Sequence, residues 1–244
     1  MKDKGHRGDL KKPSGILFDM GDTLLTYEGM DPLAGTEHIL QFAENPRGLS
    51  ARDVQDLVAE LWEDLEARRD ASMLELRSDW VHRLVYEAHG ITFSLSQAEV
   101  ELEFFKTSMK FSREPEIKST LQALTRMELP MAIVSNATFS GPTLSSELER
   151  QGLADHFEFL MSSADYGVSK PHPLIMQTAA AKLGLEPKDM WYVGNSLKYD
   201  VRGAKNAGMT GVWYNRTGDP NDGVEPDAVV RGWKEFLAIV QAFY

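Results

Sequence analysis

Gly15-Ile16-Leu17-Phe18-Asp19-Met20-Gly21-Asp22-Thr23-Leu24 is the stretch on which the fold turns. Its first four residues are apolar without alternation, the pattern of a strand buried on both faces. A carboxylate, a glycine, a second carboxylate and a hydroxyl follow within five residues, so the strand ends in a polar turn. From Pro115 onward more strands of the same kind appear, each preceded by a helical stretch. Helices near 115–127, 144–152, 174–183 and 200–207 precede strands at 131–134, 157–161, 190–193 and 211–214. A short strand at 228–230 leads into a last helix at about 232–243. This alternation predicts an α/β fold, a doubly wound parallel sheet with helices on both faces. Ligands of such sheets bind beyond the carboxyl ends of the strands.

Between the first strand and the rest, residues 29–115 read as almost all helix. Asp31-Pro32 is an N-cap followed by proline at the first helical position. Ser50 with Asp53, and Ser96 with Glu99, have the form of capping boxes. Val54, Leu57, Val58, Leu61 and Leu65 form one helical stripe; Val81, Leu84, Val85 and Ala88 form another. We expect Trp62, Trp80, Phe104 and Phe105 in the core of this insert, and His38, His82 and His89 as surface or helix-face residues. Short loops at about 26–31 and 110–115 are expected as two hinges. The division is therefore a flexible tail at 1–14, a core of 15–28 plus 116–244, and a helical insert of 29–115.

The chain has 244 residues, with 37 acidic against 26 basic side chains and a net charge of −11. A surface of that sign repels a phosphate backbone, which argues against nucleic acid as a partner. Residues 28–115 carry 18 of the acids and only 9 bases, so most of the excess lies in the insert. Cysteine is absent, which excludes disulfides, thiolate metal sites and a thiol nucleophile, and fits a reducing cytoplasm. No apolar run approaches the roughly 18–20 residues that span a bilayer, and the start, MKDKGHRGDLKK, lacks the apolar stretch of a signal peptide. A cytoplasmic protein without membrane contact is expected.

Reactive and ligating side chains stand just after four strands: Asp19 and Thr23; Ser135 and Asn136; Lys170, in Ser169-Lys170-Pro171; and Asn195 with Asp200, in a segment beginning Gly194-Asn195-Ser196. Together they suit phosphoryl transfer. A carboxylate can attack phosphorus, an ammonium can neutralise the transferred group, and oxygen ligands can hold a hard cation. These four segments, in this order, resemble motifs I to IV of the haloacid dehalogenase-like hydrolase superfamily, with Gly203-Ala204 and Ala207-Gly208-Met209 continuing the pattern. The resemblance implies a Rossmann-like core, and for residues 29–115 a C1-type cap that selects substrate and excludes water. It implies Asp19 as nucleophile and Mg²⁺ ligand, and Lys170 as the catalytic cation. Thr23, Ser135 and Asn136 would lie on the substrate side. Gly21 (through its carbonyl), Asn195 and Asp200 would complete the metal site. The implied activity is a Mg²⁺-dependent phosphomonoesterase on a small phosphorylated metabolite, through an aspartyl-phosphate.

Two positions depart from the pattern. Most phosphatases of the family carry aspartate two residues after the nucleophile, as general acid and base, where this chain has Gly21; Asp22 reads as a turn residue. Asn195 replaces the usual aspartate, with one negative charge fewer for the ion. Two alternatives follow. One is a metal-independent 2-haloacid dehalogenase, which Trp213-Tyr214-Asn215-Arg216-Thr217-Gly218 resembles after motif IV, although those enzymes usually have an aromatic residue at the Gly21 position. The other is a weak or inactive binding protein that kept the fold.

Overall fold

The computed structural model describes residues 10–244; the side chains at 64 and 67–71 lie outside that description, as does the part of the expected tail at 1–9. The first half of the chain forms β1 (Gly15–Phe18), β2 (Leu25–Met30), α1 (Pro32–Leu40), β3 (Ala43–Glu44), α2 (Ala51–Ser72), α3 (Ser78–Ala88), β4 (Thr92–Phe93), α4 (Gln97–Ser108) and β5 (Met109–Arg113). The second half forms α5 (Ile117–Arg126), β6 (Met131–Ser135), α6 (Gly141–Gln151), β7 (Leu160–Ser162), α7 (Ser163–Tyr166), α8 (Pro173–Lys182), β8 (Met190–Gly194), α9 (Arg202–Ala207), β9 (Thr210–Tyr214), β10 (Ala228–Val230) and α10 (Trp233–Gln241).

Six strands make one Rossmann-like sheet in the order β10-β9-β8-β1-β6-β7, with every pairing parallel. Successive side chains of β1 enter opposite layers, as the two-residue period of a strand requires. Ile16 and Phe18 join the cluster of Trp191, Trp233 and Phe236, while Leu17 joins Ala132, Met176 and Tyr192. Both layers are covered, which is why the run does not alternate. From β1 the chain builds outward to β6 and β7 on one side and later to β8, β9 and β10 on the other. The order therefore reverses beside the carboxyl end of β1, where a crevice opens.

Within the inserted segment, α1 lies close on α4. A Cβ at Gly35 would come within 2.8 Å of the Phe104 ring, so glycine permits the approach. The caps are those expected: Asp31 accepts from Ala34 N at 3.0 Å, and both Ser50–Asp53 and Ser96–Glu99 close reciprocal boxes.

Several expectations are corrected. The two hinges are strands: β2 and β5 pair antiparallel from Leu25↔Arg113 to Met30↔Met109, with a bulge between Tyr27 and Gly29. Gly29 at φ 139° breaks the period-2 pattern there. A second ribbon, β3 with β4, lies inside the insert. The strand expected at 157–161 is the shorter β7, which begins only after the turn at Ala154–His156 and a bend at Glu158. The helix expected at 200–207 begins as a π-turn at Leu197–Val201. Residues 10–14 are no free tail: Lys11 O accepts from Trp191 Nε1 at 3.0 Å, and Ser14 N donates to Asp189 O at 2.7 Å. Trp80 is half exposed rather than in the core, while His82 lies on a helix face of α3 with its Nε2 atom buried.

Candidate active site

Asp19 follows β1 directly, and its N–H extends the pairing by donating to Val193 O at 2.9 Å. Its carboxylate is held from below by Lys170, which comes from the loop after α7. Lys170 Nζ lies 2.7 Å from Asp19 Oδ1, 2.8 Å from Asp200 Oδ1, 2.7 Å from Tyr192 Oη and 3.0 Å from Val134 O. The Tyr192 hydroxyl donates to Val134 O at 2.7 Å, which leaves its oxygen able to accept. An ammonium with three protons thus has four acceptors around it, all deep in the core. Asp200 is kept in place by Ser196 N, which donates to Oδ2 at 2.9 Å. A Cβ at Gly194 would sit 2.4 Å from the Asp200 carboxyl carbon, so glycine here admits the carboxylate of Asp200 itself.

The residues expected on the substrate side divide. Ser135 is at the carboxyl end of β6 and lines the cleft above Asp19. Thr23 is fully buried and does not line the cleft. Its hydroxyl lies 3.1 Å from Asp19 Oδ2 and 3.4 Å from Asn195 Oδ1, and accepts from Asn195 N at 3.2 Å, so it orients the Asp19 carboxylate. Asn136 uses its amide on the main chain of Lys170: Oδ1 accepts from Lys170 N at 2.8 Å, and Nδ2 donates to Lys170 O at 3.0 Å. It positions the lysine loop, beside the cis Lys170-Pro171 bond. Asp22, at φ 52°, accepts from Tyr27 N at 3.0 Å and is a turn residue. His172 caps α8 by accepting from Leu174 N at 3.2 Å.

Burial pushes the Asp19 carboxyl up to about 6, against the pull of Lys170 and with the charge of Asp200 adding to the rise. Burial alone would lower Lys170, but two adjacent carboxylates outweigh it and hold the ammonium above its usual range. Tyr192 is raised by burial and by both carboxylates, so it stays a neutral hydroxyl. Two carboxylates against one ammonium leave the cluster one charge negative. Among the described residues no group of three or more His, Asp or Glu can hold an ion by itself. Asp19 and Asn195 nevertheless point oxygens at the same Thr23 hydroxyl, and the surplus charge suits a cation. With Gly21 and Asp200 lining the same cleft, this oxygen-bearing set suits a hard divalent ion such as Mg²⁺.

The cluster forms the floor of a cleft of about 760 Å³. On the core side the cleft reaches Ser169, Lys198 and Arg202; on the other side it is walled by Tyr27, Met30, Met73, Phe105, Met109 and Phe111. Sequence reasoning missed this wall and Tyr192. A tyrosine in a strand buried on both faces was the available signal, since a buried phenol needs a partner.

A doubly wound sheet with a carboxylate after β1, a lysine on a distant loop and an inserted segment over the crevice defines a class of hydrolase. Residues 13–208 match the family described as haloacid dehalogenase-like hydrolase, and the chain belongs to that family. A phosphoserine phosphatase of Thermus thermophilus is 34% identical over 143 residues, which cover 57% of this chain and 56% of that protein, so the match spans little more than half of that relative. A phosphoglycolate phosphatase of Vibrio vulnificus is 27% identical over 229 residues, covering 92% of this chain and 95% of that one. Among solved structures, a 2-haloacid dehalogenase of Pseudomonas syringae superposes with a TM-score of 0.65 over 94% of this chain and 98% of that chain, at 20% identity. That likeness is one of fold.

Proposed function

We propose that this hydrolase is a Mg²⁺-dependent phosphomonoesterase of small phosphorylated metabolites, working through an aspartyl-phosphate at Asp19. The observation that carries this reading is the buried Asp19–Lys170–Asp200 cluster at the floor of an open cleft. Asp19 is the nucleophile, oriented by Thr23. Lys170 holds Asp19 ionised in a buried place and neutralises charge on the phosphoryl oxygens. Ser135 binds those oxygens from β6. Asp19, the Gly21 carbonyl and Asn195, supported by Asp200, hold the ion, which when bound screens the repulsion between carboxylate and phosphate. Residues 29–115 act as the cap over the cleft, and the cysteine-free composition fits work in the cytoplasm.

The test is phosphate release from a panel of phosphomonoesters with Mg²⁺. Turnover should vanish with a chelator, return with Mg²⁺, and be absent in Asp19→Asn. Turnover that survives both treatments rules the reading out. The dehalogenase reading draws support from the apolar cleft wall and the shared fold, but Gly21 lacks the aromatic ring expected there. Chloride release from 2-chloropropionate, assayed beside phosphate release, decides between them. A site that releases neither phosphate nor chloride and binds no phosphate mimic with Mg²⁺ would leave only a binding role.

A further inference from the structure

Resting on that phosphatase reading, we infer that the site takes phosphate monoesters of aromatic alcohols, with a flat, apolar and weakly basic leaving group, in preference to esters of small hydroxy acids. Two independent features of the cleft lead there.

The first is the wall that the leaving group must face. Among the described residues, every one that β2, β5 and the rest of the insert contribute to the cleft is Met, Phe or Tyr. Tyr27, Met30 and Met73 keep 45%, 42% and 42% of their surface exposed, so large apolar area is left open at one place. Methionine sulfurs and aromatic faces suit an aromatic ring. The cations that line the cleft are Lys170, Lys198 and Arg202, all from the core side. Among the described residues no Lys, Arg or His of the insert lines it to pair with a carboxylate on the leaving group.

The second feature is the proton. Asp19, Asp22 and Asp200 are the only acids lining the cleft among the described residues. Asp19 is the nucleophile, Asp22 is tied to Tyr27 N, and Asp200 is bonded to Lys170 and Ser196. Among the described residues no carboxylic acid is left free to protonate the departing oxygen. In the first step an Asp19 oxygen bonds to phosphorus and the bond from phosphorus to the ester oxygen breaks. The aryloxide leaves with the electron pair and takes its proton from water. In the second step water attacks the same phosphorus, the bond to Asp19 breaks, and phosphate is released with the carboxylate restored. Ester and water become phenol and inorganic phosphate. Without a carboxylic acid for that role the first step favours an alcohol that is stable as its anion, and a phenol is one. Packing does not demand the glycine, since a Cβ at Gly21 would meet nothing within 4 Å.

The experiment compares kcat/KM with Mg²⁺ for 1-naphthyl, phenyl and cyclohexyl phosphates, phosphoserine and phosphoglycolate, in wild type and Gly21→Asp. The aryl esters should exceed phosphoserine and phosphoglycolate by about 10²-fold or more. Cyclohexyl phosphate, apolar but with a basic leaving group, should fall between and gain most from Gly21→Asp. Across ring-substituted phenyl phosphates, rate should rise steeply with leaving-group acidity in wild type and less steeply in Gly21→Asp. Met30→Ala should raise KM for 1-naphthyl phosphate severalfold with little change in kcat. Phosphoserine or phosphoglycolate turned over as well as the aryl esters, or a flat dependence on leaving-group acidity in wild type, would overturn this inference and leave the phosphatase reading standing. No turnover of any ester would overturn both.

Discussion

The parallel core and the inserted helical segment handle charge in opposite ways. The core buries Asp19, Lys170 and Asp200 against one another at the end of β1, where each carboxylate depends on the single ammonium. The insert carries most of the net charge but spreads it over its surface, in pairs such as Arg83–Glu87 and Lys106–Glu103 that contribute little to stability. Its buried acids are the informative ones. Glu75 accepts from Ser163 Oγ, Glu101 from Ser140 N and Thr143 Oγ1, and Glu114 from the Tyr214 hydroxyl. Each of these fastens the insert to the core. Buried core charge is thus gathered in one cluster at the cleft, and buried insert charge fastens the insert to the core.

The comparison can be broken most sharply at Lys170. Lys170→Met leaves two buried carboxylates side by side with no counter-charge. It should cost about 3–5 kcal/mol in urea unfolding at pH 7.5 and abolish turnover. A variant as stable as wild type would mean that the cluster is not held as described. Gly194→Ala tests the same cluster by sterics alone. The added methyl meets the Asp200 carboxyl, so overpacking should cost about 1–3 kcal/mol and lower kcat, while Gly232→Ala, whose methyl would meet nothing within 4 Å, should leave kcat unchanged. On the side of the insert, Glu101→Gln keeps one acceptor for Ser140 and Thr143 but loses the charge-assisted bonds. A loss of about 1 kcal/mol is expected, with KM raised more than kcat is lowered, because the roof loosens while the floor stays intact. Equal effects on kcat and KM would argue against that division of labour.

The smallest effect concerns pH. Burial lowers the pKa of His82, opposed by its bond to Ser78 O and by the charge of Asp79. The folded protein therefore holds this imidazole neutral below the pH at which the unfolded chain takes up a proton. Its stability contribution is complete above about pH 6.5 and is lost as pH falls through that value toward the folded pKa. His82→Phe keeps the ring against Phe104 and should flatten this part of the curve. The variant should gain on wild type as pH falls from 7 to 5, read as the difference between their melting temperatures.

How much of this was legible beforehand depended on range. Runs such as Gly15–Phe18 and Met190–Gly194, and the caps at Ser50 and Ser96, are set by neighbours a few residues apart, and all of them can be read directly from the chain. The ribbon of β2 and β5 could not be. Its strands are short, the bulge at Tyr27–Gly29 interrupts their alternation, and each is completed only by the other across the whole insert. The same holds within the site. Thr23 and Asn136 read as substrate contacts because they follow strands. In the folded chain the Thr23 hydroxyl turns to Asp19, and the Asn136 amide to the main chain of Lys170.

The order of apolar runs and polar strand ends determined by itself that this chain builds a parallel sheet with its reactive residues at one edge, because burial on two faces and the direction of the strands leave that edge as the place where polar groups can gather. Which partner each polar atom takes was decided only by tertiary structure. Lys170 reaches Asp19 across 151 positions of chain, and the Met and Phe wall opposite them is assembled from residues whose own neighbourhoods carry no sign of a cleft. Such contacts depend on distances between elements, which no local pattern encodes.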